Sequence, residues 1–196
     1  MARLTRTRKA NPTVLLVVEG ETEQVYFTQL RGYERLPGLN VIPKMAKSSS
    51  PYYVLKYALD ASKDNAFDVI WCVFDRDVLD HTKPKDFDEI YDRAKRKGIR
   101  LAESLPCFEV WFLLHYVVPS KYYPNSHAVE TDLCHHLKGY CKETEWLRRS
   151  ELYAILRKYQ PIAINNSKTL TAANQQTPDP NATFSNVFTL IESILA

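Results

Sequence analysis

Short apolar runs alternate with segments of helical period through the first half of the chain. Thr13-Val-Leu-Leu-Val-Val18 and Asp68-Val-Ile-Trp-Cys-Val-Phe74 are rich in β-branched and aromatic residues and almost free of charge, as strands buried on both faces of a parallel sheet are. Leu39–Pro43 and Ile99–Ala102 read as two shorter strands. Between them, residues 21–32 present Val25, Tyr26, Gln29 and Leu30 on one helical face, and a second helix carries Val54, Leu55, Ala58 and Leu59. Ser50 stands at the N-cap of that helix and Pro51 at its first position. A third amphipathic helix covers residues 86–97 and ends at Gly98. The order β-α-β-α-β-α-β predicts an α/β fold with a four-stranded, mostly parallel sheet and right-handed crossovers.

Strand patterns fade after Cys107. Phe108–Val118 reads as an apolar helix, and residues 127–138, 144–159, 161–174 and 183–195 all allow helices punctuated by prolines. The expected organisation is a basic arm over residues 1–11, an α/β core over 12–106 and a helical extension over 107–196 packed on that core. The 196 residues, 45% of them hydrophobic, suit one such unit.

Composition narrows the setting. No apolar run reaches the ~18 residues of a membrane span, and the N-terminus does not read as a secretory signal; a cytoplasmic protein without membrane contact is expected. Cys72, Cys107, Cys134 and Cys141 then read as reduced thiols. Cys134-His135-His136 with Cys141 lacks the paired C-x-x-C ligands of a structural zinc site. The net charge of +3 is small, but Arg3, Arg6, Arg8 and Lys9 crowd the first ten residues without an acid among them. Such an arm suits either a solvated tail or contact with phosphates. The basic run Arg93–Arg100 follows Asp86, Asp88, Glu89 and Asp92 and reads as a solvated helix face.

The chemistry concentrates where the two strongest strands end. Glu19-Gly20-Glu21-Thr22-Glu23 follows the first, and Asp75-Arg76-Asp77 follows the other about 55 residues later. Parallel strands end at one sheet edge, where ligands bind in open α/β folds. Glu23 lies one helical turn beyond Glu19, and Asp75 and Asp77 share a side of an extended segment. Gly20 is expected to allow a sharp turn and leave room for a ligand, while Glu21 either faces the site or favours the helix N-terminus. Converging carboxylates repel and are costly to desolvate, so they commonly share a divalent cation. Mg2+ or Mn2+ suits these oxygen ligands, and one or two ions can serve phosphodiester cleavage. Each acid alone reads more readily as a loop cap or exposed charge; the joint pattern on strand ends points to function. Lys44 and Lys47, after the second strand, either stabilise developing phosphoryl charge or are plain exposed lysines. Arg76 is a further candidate for phosphate contact.

The pairing of Val17-Val18-Glu19-Gly20-Glu21-Thr22-Glu23 with Val73-Phe74-Asp75-Arg76-Asp77 resembles the Toprim fold of primases, type II topoisomerases and OLD-type nucleases. Ser104-Leu-Pro-Cys-Phe-Glu109-Val-Trp-Phe-Leu-Leu-His115 and the stretch Asn181–Val187 narrow the resemblance to the RloB-like family. That family is associated with bacterial phage-defence loci, often beside an AAA-type ATPase. The resemblance implies a metal-dependent nuclease. Glu19 would act as general base or metal ligand, Asp75 and Asp77 as metal ligands, and Glu23 and Glu109 as further acids of the metal site. Ser104 would hydrogen-bond a phosphate or a metal-bound water. Asp179–Thr183 departs from the Asn-Pro-Ser-Thr form associated with the family.

His115 lies on a strongly apolar helix and reads as a buried, hydrogen-bonded histidine; Phe108, Trp111 and Phe112 read as core. No P-loop motif occurs. The expected substrate is DNA or RNA, with a tRNA-directed ribonuclease as the enzymatic alternative. A non-hydrolytic metal- and nucleic-acid-binding module of an ATPase complex is the alternative of another class, and a homodimer remains open.

Overall fold

The computed structural model describes residues 12–43, 50–76, 84–120, 122–140 and 142–196. The basic arm, Lys44, Lys47, Asp77 and Cys141 lie outside the described residues. The described strands are β1 (Val14–Val18), β2 (Leu39–Pro43), β3 (Val69–Asp75), β4 (Arg100–Leu105) and β5 (Phe184–Ser185). The helices are α1 (Glu21–Tyr33), α2 (Pro51–Ala61), α3 (Phe87–Arg96), α4 (Glu109–Leu113), α5 (Ser126–His136), α6 (Thr144–Arg149), α7 (Leu152–Arg157), α8 (Gln160–Gln176) and α9 (Val187–Leu195).

The sheet has five strands in the order β2-β1-β3-β4-β5, one more than expected. The first four run parallel, and β5 pairs antiparallel to β4 at Ser104↔Ser185 and Leu105↔Phe184. This pairing extends β4 to Leu105, beyond the expected end at Ala102, and places Ser104 inside the strand. β5 also occupies what reads from sequence as the first turn of the last helix.

Both faces of the sheet are covered, as the uninterrupted apolar runs require. Leu15, Val17, Ile70, Cys72 and Phe74 pack with α2 and α3. Leu16, Val18, Trp71, Val73 and Ala102 join a larger core with α1, α4 and the helices of the second half. Each fully buried Val, Leu or Phe side chain stabilises the fold by about 1.5–3 kcal/mol. At the amino ends of β1 and β3, Asp68 Oδ2 accepts from Thr13 N at 2.7 Å and from Thr13 Oγ at 2.9 Å. That bond sets the register that brings both carboxyl ends to one level.

The expected helix over 108–118 is shorter. α4 gives way to tighter turns, with His115 N donating to Phe112 O and Tyr116 N to Leu113 O, before Pro119. The expected helix over 144–159 is broken in two at Ser150. Gln29 of α1 fills the break: its Nε2 donates to Ser150 O at 2.7 Å and its Oε1 accepts from Tyr153 N at 2.9 Å. Ser50 does take the N-cap position of α2, ahead of Pro51. No helix among the described residues is long and apolar enough to cross a membrane.

Candidate active site

β1 and β3 are neighbours in register Val18↔Val73, so the residues that follow them emerge side by side. Glu19 N donates to Val73 O at 3.1 Å. In return, Glu19 Oε2 accepts from Asp75 N at 3.1 Å. By strand alternation Asp75 falls on the side of Val73, the side covered by α1 and α4. Glu23 comes from the first turn of α1 and Glu109 from the first turn of α4. The four acids line one cleft of about 230 Å3 with Gly20, Glu21, Thr22, Phe108 and Lys142.

Two of the four acids are withdrawn from solvent. Glu23 is 4% exposed and Glu109 fully buried. Burial, then the charges of Glu109 and Glu19, push the Glu23 carboxyl up to about 8. Burial and the charges of Glu23, Glu109 and Glu19 likewise hold Asp75 well above the usual carboxylate range. Among the described residues, no hydrogen-bond partner stands at hydrogen-bonding geometry to the buried Asp75 Oδ1 and Glu109 Oε2. Buried carboxylate oxygens without donors are costly, and they mark the positions where positive charge would be most favourable. Cys107, 1% exposed, belongs to the core; burial and the nearby Glu109 and Asp75 charges push its thiol up.

Gly20 has an extended backbone with φ −128° and ψ −179°, which any residue adopts. The sharp turn expected of it is therefore not the reason for glycine. Space is: a Cβ here would stand 2.9 Å from Glu23 Oε2. Glu21 lies at the cleft mouth, where its Oε1 pairs with Arg148 Nη2 at 2.7 Å.

The remaining candidate residues do not line this cleft. Ser104 is opposite Asp75 in the register, but its hydroxyl is buried against the Ser185 hydroxyl at 2.9 Å. Arg76 leaves β3 on the other face, 3.9 Å from Glu103 Oε1 and 6.0 Å from the Phe184 ring centre. His115 is fully buried; its Nδ1 lies 2.9 Å from Trp111 O, and burial lowers its pKa to about 4. The Asn181–Val187 stretch clips the sheet edge: Asn186 Oδ1 accepts from Glu103 N at 2.6 Å, and Asn186 N donates to Glu103 O at 3.0 Å.

Two residues in contact with Glu109 carry no sequence signal of their own. Tyr140 donates its hydroxyl to Glu109 Oε1 at 3.0 Å, and Lys142 Nζ lies 3.0 Å from the same oxygen. Both come from the polar connection after α5, which reverses at Gly139 with φ +79°, a conformation that favours glycine. Carboxylate and lysine chemistry suits a hard divalent cation and an anionic substrate. As they stand, no three or more His, Cys, Asp or Glu side chains among the described residues are grouped so as to hold a metal ion.

A mostly parallel α/β sheet with an acidic cleft at its carboxyl edge defines the class of this protein. The chain belongs to the RloB-like protein family, whose sequence pattern it matches over residues 14–194. No curated protein and no solved structure matches it.

Proposed function

We propose that this RloB-like protein is a Toprim-type, metal-dependent nuclease. The observation that carries the reading is the convergence of Glu19, Glu23, Asp75 and Glu109 in one cleft, with two buried carboxylate oxygens that find no donor among the described residues. The donor set fits Mg2+ or Mn2+ in chemistry, though not yet in closeness. Glu19, Asp75 and Asp77 would hold the ion, with Glu23 and Glu109 completing its surroundings. The ion, when bound, would polarise a phosphodiester and acidify a water.

The chain's own residues supply the rest. The Asp75 N–H fixes one oxygen of Glu19 and leaves this carboxylate as the candidate proton acceptor. Glu23 holds a proton at neutral pH despite the Lys142 charge, and would lose it to a divalent cation in the cleft. Arg148 orients Glu21 at the mouth. Substrate selection would rest on backbone shape or on a partner, such as the AAA-type ATPase that the family resemblance implies, within a phage-defence setting.

The test is incubation of purified protein with plasmid DNA and with total tRNA, in Mn2+ and in EDTA, beside Asp75→Ala. Cleavage of either substrate in Mn2+ alone, lost by at least ~100-fold in a folded Asp75→Ala, is the expected result. The two substrates separate the deoxyribonuclease from the tRNA-directed ribonuclease. Equal activity in the variant would remove Asp75 from the chemistry. A second reading is a non-hydrolytic metal- and nucleic-acid-binding module of an ATPase complex, which the same converging acids would serve. It expects Mn2+ binding without cleavage, with or without a partner ATPase.

A further inference from the structure

The acidic cleft already contains a cation. Lys142 lines it, with Nζ 3.0 Å from Glu109 Oε1 and 3.4 Å from Glu130 Oε1. Its carboxylate partners differ in kind. The Glu109 side chain is 1% exposed, whereas that of Glu130 is 26% exposed and that of Lys142 44%. The positive charge of Lys142 also reaches Glu23 and Asp75, where it opposes the upward push of burial. Burial pushes the Lys142 ammonium toward losing its proton, but its contact with Glu109, together with Cys107 and Asp75, holds it protonated. Tyr140 braces the arrangement: its hydroxyl donates to the oxygen that Lys142 contacts, and its ring packs 5.4 Å from Trp146.

A fully buried carboxylate without a counter-charge is strongly unfavourable. Lys142 removes that cost while the cleft lacks a divalent ion. A divalent ion near Glu109 would repel the ammonium at a few ångströms through a medium that screens poorly. Glu109 cannot serve both in full. Glu130, on α5, offers the ammonium a second and more solvated partner, within reach of the flexible four-carbon stem.

We propose that Lys142 is a tethered counter-cation that regulates metal entry: it pairs with Glu109 in the metal-free cleft and transfers to Glu130 when a divalent ion binds. This rests on the metal-dependent reading above. Lys142 is a regulating residue here, and its contact with Glu109 sets how much free cation the cleft requires. Glu130 is the acceptor that makes the exchange possible.

Calorimetric Mn2+ titration of the full chain tests this, with Lys142→Met and Glu130→Gln beside the wild type, all first treated with EDTA. Lys142→Met should bind Mn2+ about tenfold more tightly, the scale of one removed charge–charge contact at partial screening. Its melting temperature should be lower than wild type without metal and rise further on Mn2+ addition. Glu130→Gln keeps the competing lysine and removes its alternative partner, so it should bind Mn2+ several-fold more weakly. Wild-type or weaker affinity in Lys142→Met, or unchanged affinity in Glu130→Gln, overturns the exchange. Mn2+ binding by none of the three proteins overturns the metal reading itself and the exchange with it. Tight Mn2+ binding by Lys142→Met without cleavage by any of the proteins overturns only the nuclease reading and upholds the exchange.

Discussion

Glu23 keeps its proton at neutral pH, where an ordinary carboxylic acid has lost it. Its carboxyl titrates near 8 in the fold against 4.5 for the ordinary side chain. Between those pH values the folded chain holds a proton that the unfolded chain has released. Glu23 therefore lowers stability progressively as pH rises from about 4.5 to 8, and the loss is complete above that window. With EDTA present, the folded protein should lose stability across this range. Glu23→Gln, which keeps the shape and cannot ionise, should shrink the decline and be more stable than wild type at pH 8 by about 1–3 kcal/mol. Urea unfolding at pH 5 and pH 8 measures both; an unchanged decline in the variant would place the proton elsewhere. Gly20 belongs to the same argument. A Cβ at this position would stand 2.9 Å from Glu23 Oε2, so a larger residue here would have to shift that carboxyl.

The elements that frame the cleft are fixed by polar bonds between distant segments. The buried carboxyl edge of β4 is completed by β5 and by Asn186, whose side chain accepts from Glu103 N. Asn186→Ala should leave that N–H without its acceptor and cost about 1–3 kcal/mol. The loss should be read as a lower urea midpoint with an unchanged slope; a midpoint equal to wild type would show that the clip does not hold the edge. Such features also set what a sequence can disclose. β1 and β3 are legible because strands covered on both faces must be apolar throughout. β5 is not, because two residues carry no period and their pairing with β4 joins segments about 80 residues apart. The break between α6 and α7 is hidden for the same reason, since the group that fills it is Gln29 on α1. Glu19, Glu23 and Asp75 were legible from their positions at strand ends. Lys142 and Tyr140 were not: they sit in a polar connection, and only the path of the chain past Gly139 brings them onto Glu109.

At the scale of the molecule, the acids stand apart from a larger cavity. That cavity, of about 580 Å3, opens at the amino edge of the sheet beside Val14, Gly38, Leu39, Arg157 and Leu195. Its charged groups satisfy each other, with Arg157 Nε 2.6 Å from Glu34 Oε1. The smaller acidic cleft at the carboxyl edge retains buried carboxylate oxygens without donors among the described residues, and two strand ends and two helix starts assemble it. On the proposed function, its central property is an affinity for positive charge at one point between Glu19, Asp75 and Glu109. Anomalous diffraction from crystals of the full chain soaked in Mn2+ measures this most directly. The expected result is a Mn2+ peak in the cleft with oxygen atoms of Glu19 and Asp75 about 2.0–2.3 Å from it, the range of hard divalent ions bound by carboxylates. Ordered crystals that take up Mn2+ only at other surfaces, with Asp75 and Glu109 unchanged, would contradict the account.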